Sequence, residues 1–152
     1  MSGTGGAGGE GGVEAPYAHV MAVSVSGEPE NYTYAVTVES ADIDCSQYAD
    51  WWEVLDPNGS LIYRRILEHS HTDENGTTDA DAFGNTFTRS GGPVVVAARD
   101  VVIVRAHMSV GGYNGTVLIG TADEGFFYAK GFESGFATGV EDDPPLPAGC
   151  LF

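Results

Sequence analysis

The stretch Tyr32-Thr33-Tyr34-Ala35-Val36-Thr37-Val38 decides the fold. Successive side chains of a strand point to opposite faces. Tyr32, Tyr34, Val36 and Val38 therefore share one face, and Thr33, Ala35 and Thr37 share the other. The first face is large and apolar and the second is small or hydroxylated, the pattern of a strand buried on one side.

Upstream, Met21, Val23 and Val25 alternate with Ala22 and Ser24, and Gly27-Glu28-Pro29-Glu30-Asn31 reads as the turn between the two strands. Downstream, residues 51–55 and 61–67 flank Asp56-Pro57-Asn58-Gly59-Ser60. Asn-Gly tolerates the positive φ angles of a tight turn, so this is a strong hairpin signal. Residues 94–97 and 101–110 suggest another pair around Arg99-Asp100. Residues 116–121 and 126–130 suggest a third around Ala122-Asp123-Glu124-Gly125, and Asn114-Gly115 marks one more turn. No segment has a helical period with caps. The reading is an all-β chain, an antiparallel β-sandwich of about eight strands, Ig-like or jelly-roll-like. The strands run over about 17–132, and the whole domain over 17–152. A glycine-rich tether, 1–16, precedes it, and a Pro-rich tail, 134–152, ends it. One connection, 68–93, is longer than a plain turn requires, and loops of that length are commonly functional or disordered.

Composition narrows the partners. The chain has 152 residues, enough for one domain with a real core. It carries 22 acidic residues against 6 basic ones, a formal charge of -16, with Lys130 the single lysine. Nucleic acid and anionic membrane surfaces require clustered Lys and Arg, so both are excluded as partners. The charge fits cations, basic or envelope protein partners, or plain solubility, and it suits a salty medium that screens carboxylate repulsion. No signal peptide is legible, and no transmembrane segment: the longest apolar run, 94–98, is far too short to span a bilayer.

Cys45 and Cys150 are the two cysteines. Cys150 follows the tail Asp143-Pro144-Pro145-Leu146-Pro147-Ala148-Gly149, which has little reason to stay attached without a staple. A Cys45–Cys150 disulfide is expected if the chain is exported. Closing so long a loop could contribute about 4–5 kcal/mol.

The segment Ser2-Gly3-Thr4-Gly5-Gly6-Ala7-Gly8-Gly9-Glu10-Gly11-Gly12 resembles the spacer after the lipidated cysteine of bacterial lipoproteins, notably of myxobacterial type. Met1 and Ser2 stand where the leader and that cysteine would be. The resemblance implies placement in the cell envelope, periplasm or outside the cell; a linker of any origin has the same composition. The block Trp51-Trp52-Glu53-Val54-Leu55, Leu61-Ile62-Tyr63-Arg64-Arg65-Ile66-Leu67, His69-Ser70-His71 and Phe87-Thr88-Arg89-Ser90-Gly91-Gly92-Pro93 is similar to bacterial envelope proteins of undescribed activity. It implies no function.

Four groups could carry chemistry. His69 and His71 would share a face if their segment is extended, and a neighbouring strand could bring His107 to them. Three imidazoles suit zinc or copper, with Glu68 or Asp73 as a further ligand. The competing reading is ordinary strand-end histidines, and His19 is incidental. A blue-copper site is excluded, because Cys150 has no His or Met after it. The acidic loop offers a calcium site at Asp73, Asp79, Asp81 and Asn85, but Phe83 and Ser90 stand where oxygen ligands belong, so a solvated loop competes.

Thr88-Arg89-Ser90-Gly91-Gly92-Pro93 reads as turn chemistry, with Arg89 a less favoured anion contact. Of Arg64, Arg65 and Arg105, one or two are expected to pair across strands with carboxylates such as Glu53 or Glu68. Trp51 and Trp52 must point to opposite faces, one into the core; Trp51 with Tyr113 could contact a ligand, although core packing is favoured. Hydrolase and phosphate-loop signatures are absent: in Gly131-Phe132-Glu133-Ser134-Gly135 the serine stands fourth rather than third.

The leading expectation is a non-enzymatic extracytoplasmic binding or structural module, with any transition metal on His69, His71, His107 and Glu68. One alternative is a small zinc or copper enzyme using the same histidines, with Glu68 or Glu53 as general base. Another is a calcium-stabilised adhesion or carbohydrate-binding module.

Overall fold

The computed structural model describes residues 16–71, 85–130, 132 and 135–151. Eight strands form two antiparallel sheets. They are β1 (Ala18–Glu28), β2 (Asn31–Ser40), β3 (Ala49–Leu55), β4 (Leu61–Ile66), β5 (Asn85–Val94), β6 (Val102–Met108), β7 (Val117–Thr121) and β8 (Gly125–Ala129). The smaller sheet has the order β1-β2-β5 and the larger β4-β3-β6-β7-β8. The all-β antiparallel sandwich expected from the alternating runs is the fold.

The core between the sheets follows from that alternation. Tyr32, Tyr34, Val36 and Val38 are buried from one side. Trp52, Val54, Val102, Val104, Ala106 and Leu118 meet them from the other. The β3–β4 hairpin turns where Asn58-Gly59 predicts, with Gly59 at φ 91°. Its Asp56 side chain accepts backbone N–H groups from Asn58 and Ser60. The β7–β8 hairpin also falls where expected.

Three local readings are corrected. Met21 does not share a face with Val23 and Val25. The β1–β2 register shifts between Val20 and Ala22, so Met21 is a bulge residue. Val20 is buried and Met21 is 41% exposed, because the extra residue reverses the phase of the alternation.

Residues 94–97 and 101–110 form no hairpin. Val94 closes β5 in the smaller sheet, whereas β6 pairs with β3 and β7 in the larger, so the chain crosses between sheets here.

The connection expected over 68–93 is strand in its second part. Thr88-Arg89-Ser90-Gly91-Gly92-Pro93 lies within β5 and is not a turn. Its glycines serve close approach: a Cβ on Gly91 would lie 2.5 Å from the Tyr63 hydroxyl, and one on Gly92 2.5 Å from the Tyr32 carbonyl oxygen.

Every residue of β3 and of β6 is buried. A sheet open to water on one face would bury alternate residues only. The second face is covered by the tail, where residues 138–142 form one 3-10 turn. Leu55, Ile103 and Val117 make a smaller apolar cluster there with Phe132, Phe136 and Val140. Cys45–Cys150 is disulfide-bonded across a separation of 105 residues, as the export argument expects. The Leu151 N–H also donates to the Glu68 carbonyl, at 2.7 Å.

Candidate functional site

The strongest concentration of chemistry-bearing groups lies under this strap. Glu53 on β3 faces Arg64 on β4 and Arg105 on β6, its direct neighbours on either side. The register alone places the three together, so the expected cross-strand ion pair exists and is doubled. Glu53 Oε1 accepts from Arg64 Nε at 2.7 Å, and Oε2 from Arg105 Nε at 2.8 Å. All three side chains are buried.

One carboxylate against two guanidiniums leaves an excess positive charge in a dry setting. A buried charge is costly unless its donors are satisfied. The strap supplies the acceptors. Arg64 donates to the carbonyls of Val140 at 2.8 Å, Pro145 at 3.0 Å, and Asp143. Arg105 donates to the carbonyls of Ala137, at 2.8 Å, and Phe136. Aromatic rings complete the enclosure. The Arg64 guanidinium lies 4.1 Å from the Trp51 ring centre, and that of Arg105 lies 3.5 Å from the Tyr113 ring centre. Burial pushes the Tyr113 phenol above its ordinary range, and the nearby Glu53 carboxylate adds to the shift.

His107 forms the second part of the site. Its ring stacks on Trp51 with centres 3.7 Å apart and planes 3° from parallel. Nδ1 lies 2.6 Å from Asp50 Oδ1, and Nε2 lies 2.7 Å from Glu141 Oε2. Ionised carboxylates only accept, so both contacts are hydrogen bonds when the ring carries both protons. Burial raises the Asp50 carboxyl above its usual value, and the hydrogen bond and charge of His107 pull it partly back. Glu141 belongs to the strap, so this contact is a second latch on the same segment.

The other histidines are elsewhere. His71 is buried and stacks on Phe87 of β5, with centres 3.7 Å apart. Its backbone N–H donates to Asp42 Oδ2 at 2.8 Å, and its Nδ1 lies 3.3 Å from the same oxygen. Asp42 Oδ1 accepts from Ser40 Oγ at 2.7 Å and from the Ala49 N–H at 2.8 Å. His69 lies beside His71, with ring centres 4.7 Å apart, and Glu68 is exposed.

The expected trio is thus divided. His107 faces the strap from β6, while His69 and His71 follow β4 to Asp42 and Phe87. Among the described residues no three His, Cys, Asp or Glu side chains are grouped to hold a metal ion. Of the calcium candidates, Asp73, Asp79 and Asp81 lie outside the described residues. Asn85 is buried and donates to the Asp42 carbonyl at 3.1 Å.

Trp51 and Tyr113, read as possible ligand contacts, are buried beneath the strap. Arg89 lies on β5, over the Phe87 ring, and donates to the Thr88 carbonyl. Sequence reasoning missed Asp42, Asp50 and Glu141. Asp50 could have been noticed as the one carboxylate besides Glu53 in an otherwise apolar strand; nothing local marks the other two.

No protein-family model matches the chain, and no solved structure matches it. One relative is a Halomicrobium mukohataei protein named "Putative lipoprotein". It is 30% identical over 92 residues, covering 60% of this chain and 40% of that protein. The chain therefore spans two fifths of the relative's length. No described helix is long and apolar enough to cross a membrane.

Proposed function

We propose that the chain is a non-catalytic, extracytoplasmic module of the cell envelope, whose disulfide-held strap keeps its surface fixed outside the reducing cytosol. One observation carries the reading. Among the described residues, the densest group of charged and titratable side chains is consumed by partners within the chain. Glu53, Arg64 and Arg105 close on one another and on strap carbonyls. His107 has both ring nitrogens on carboxylates. A catalytic base or a metal ligand needs a nitrogen or oxygen left open to substrate or ion. The lipoprotein name of the relative and the Cys45–Cys150 bridge support the placement.

The test is fractionation of cells producing the full-length native protein, with thiol labelling before and after reduction. Recovery in the envelope or secreted fraction, with labelling only after reduction, is expected. Recovery in the cytosol with two reactive thiols would overturn the placement. Metal analysis of the same preparation separates this reading from the alternatives. Stoichiometric zinc, copper or calcium retained through gel filtration would replace it with a metal-dependent module or enzyme.

A further inference from the structure

A different part of the surface has the composition of a ligand site. The β1 bulge turns Met21 outward, and beside it a cleft of about 640 Å³ opens, where β1 and β2 meet the start of β7 and the end of β8. His19, Met21, Glu39, Thr116, Tyr128 and Lys130 are among its walls. We infer that this cleft binds a neutral saccharide, with the apolar face of a sugar ring on Tyr128 and its hydroxyls among Glu39, His19 and Lys130.

The aromatic wall is the first observation. Tyr128 is 68% exposed and Met21 41% exposed, so neither is explained by core packing. A tyrosine ring offers a large rigid apolar face at low conformational cost, with a polar tip.

The second observation is the mixture of donors and acceptors. The Thr116 N–H donates to His19 Nδ1 at 2.9 Å, so the proton of the neutral ring sits on Nε2 and is available to donate. Tyr17 stacks on the same ring, 4.6 Å away, and helps fix its orientation. Glu39 brings an acceptor and Lys130 a donor, and neither side chain has a hydrogen-bond or ion-pair partner among the described residues. A hydroxyl both donates and accepts, so a polyol can use every one of these groups.

Charge and desolvation exclude an anion and a wholly apolar ligand. An anion would meet Glu39 in the cleft and a net charge of -16 around it. A wholly apolar ligand would bury Glu39 and Lys130 with nothing to bond.

The inference names a ligand class for the module proposed above. Its test uses purified protein, so its failure leaves the extracytoplasmic placement standing. Native-gel affinity electrophoresis would be run in dextran, mannan, xylan, starch and, as an anionic control, alginate. At least one neutral polysaccharide should retard the protein. Tyr128→Ala should weaken that retardation at least tenfold, and Glu39→Gln at least threefold. Phe127→Ala, on an exposed residue outside the cleft wall, should change it less than twofold. Urea midpoints within error of wild type would show that the exposed-site variants remain folded. Absence of retardation in every neutral polysaccharide, retardation by alginate alone, or equal retardation of Tyr128→Ala and wild type would each overturn the assignment.

Discussion

Replacing Glu53 by glutamine tests the central energetic claim, because the change is nearly isosteric and removes only charge. Glu53 is fully buried and bonds Arg64 and Arg105 at 2.7 and 2.8 Å. In Glu53→Gln, one amide oxygen can still accept from one guanidinium, but the amide NH2 presents donors to the donors of the other. Two buried cations then remain without a counter-charge, and one of them also loses its side-chain acceptor. Removing one partner of a buried ion pair costs about 3–5 kcal/mol. Leaving two guanidiniums without a counter-charge places this site toward the upper end of that range.

A domain of this size loses roughly 3–4 °C of Tm per kcal/mol, so a fall of about 10–20 °C is expected. The control is Arg65, the residue after Arg64 on β4. Arg65 donates to the carbonyls of Ser90 and Ile66, has no carboxylate partner among the described residues, and is only partly buried. Arg65→Met should cost no more than about 1 kcal/mol. Urea unfolding without reductant, followed by tryptophan emission, reads both variants. A loss below about 1 kcal/mol for Glu53→Gln, or one equal to that of Arg65→Met, would refute the account of a dry network closed by the strap.

Two further outcomes follow from the same face. The Cys45→Ser/Cys150→Ser double variant should lose up to about 4–5 kcal/mol by loop-closure reasoning, and limited proteolysis should then cut within 135–151. A loss below about 1 kcal/mol with no new cleavage would show that the ion network alone holds the strap. Asp50 gives the pH dependence. Its folded-state carboxyl is raised above 3.8, so the folded chain binds that proton more tightly than the unfolded chain. Its contribution to stability is present below the unfolded value and is lost as pH rises through the raised one. Stability measured from pH 3.5 upward should therefore fall less steeply with pH, or rise more, in Asp50→Asn than in wild type; identical slopes would contradict the shift.

The strands were legible where one face is apolar and the other polar. Tyr32 to Val38 and the Asn58-Gly59 hairpin are local features, and local rules place them. The reading failed where the deciding contact was remote. Met21 changed face because a single bulge shifts the phase, and alternation cannot reveal which partner strand lacks a residue. Gly91 and Gly92 looked like turn residues because glycine permits turns. In the fold they make room for the Tyr63 hydroxyl and the Tyr32 carbonyl.

The candidate site divides along the same line. The types of its residues were visible: scarce arginines, paired tryptophans and a histidine in apolar strands. Which of them share a face followed from strand register, and the Glu53–Arg pairing was accordingly foreseeable. The partition of the histidines was not, because His107 and His71 report to different layers of the sandwich.

By itself, then, the amino-acid sequence determined an acidic antiparallel sandwich, its two best hairpins and a reason to staple the tail. Periodicity and turn chemistry act over a few residues and need no knowledge of distant neighbours. Only the tertiary structure decided that the tail lies across the outer face of the larger sheet. That placement depends on five strap carbonyls meeting two guanidiniums more than thirty residues away in the chain. Backbone carbonyls carry no residue identity, so no pattern in the tail announces the acceptors that satisfy the donors of Arg64 and Arg105.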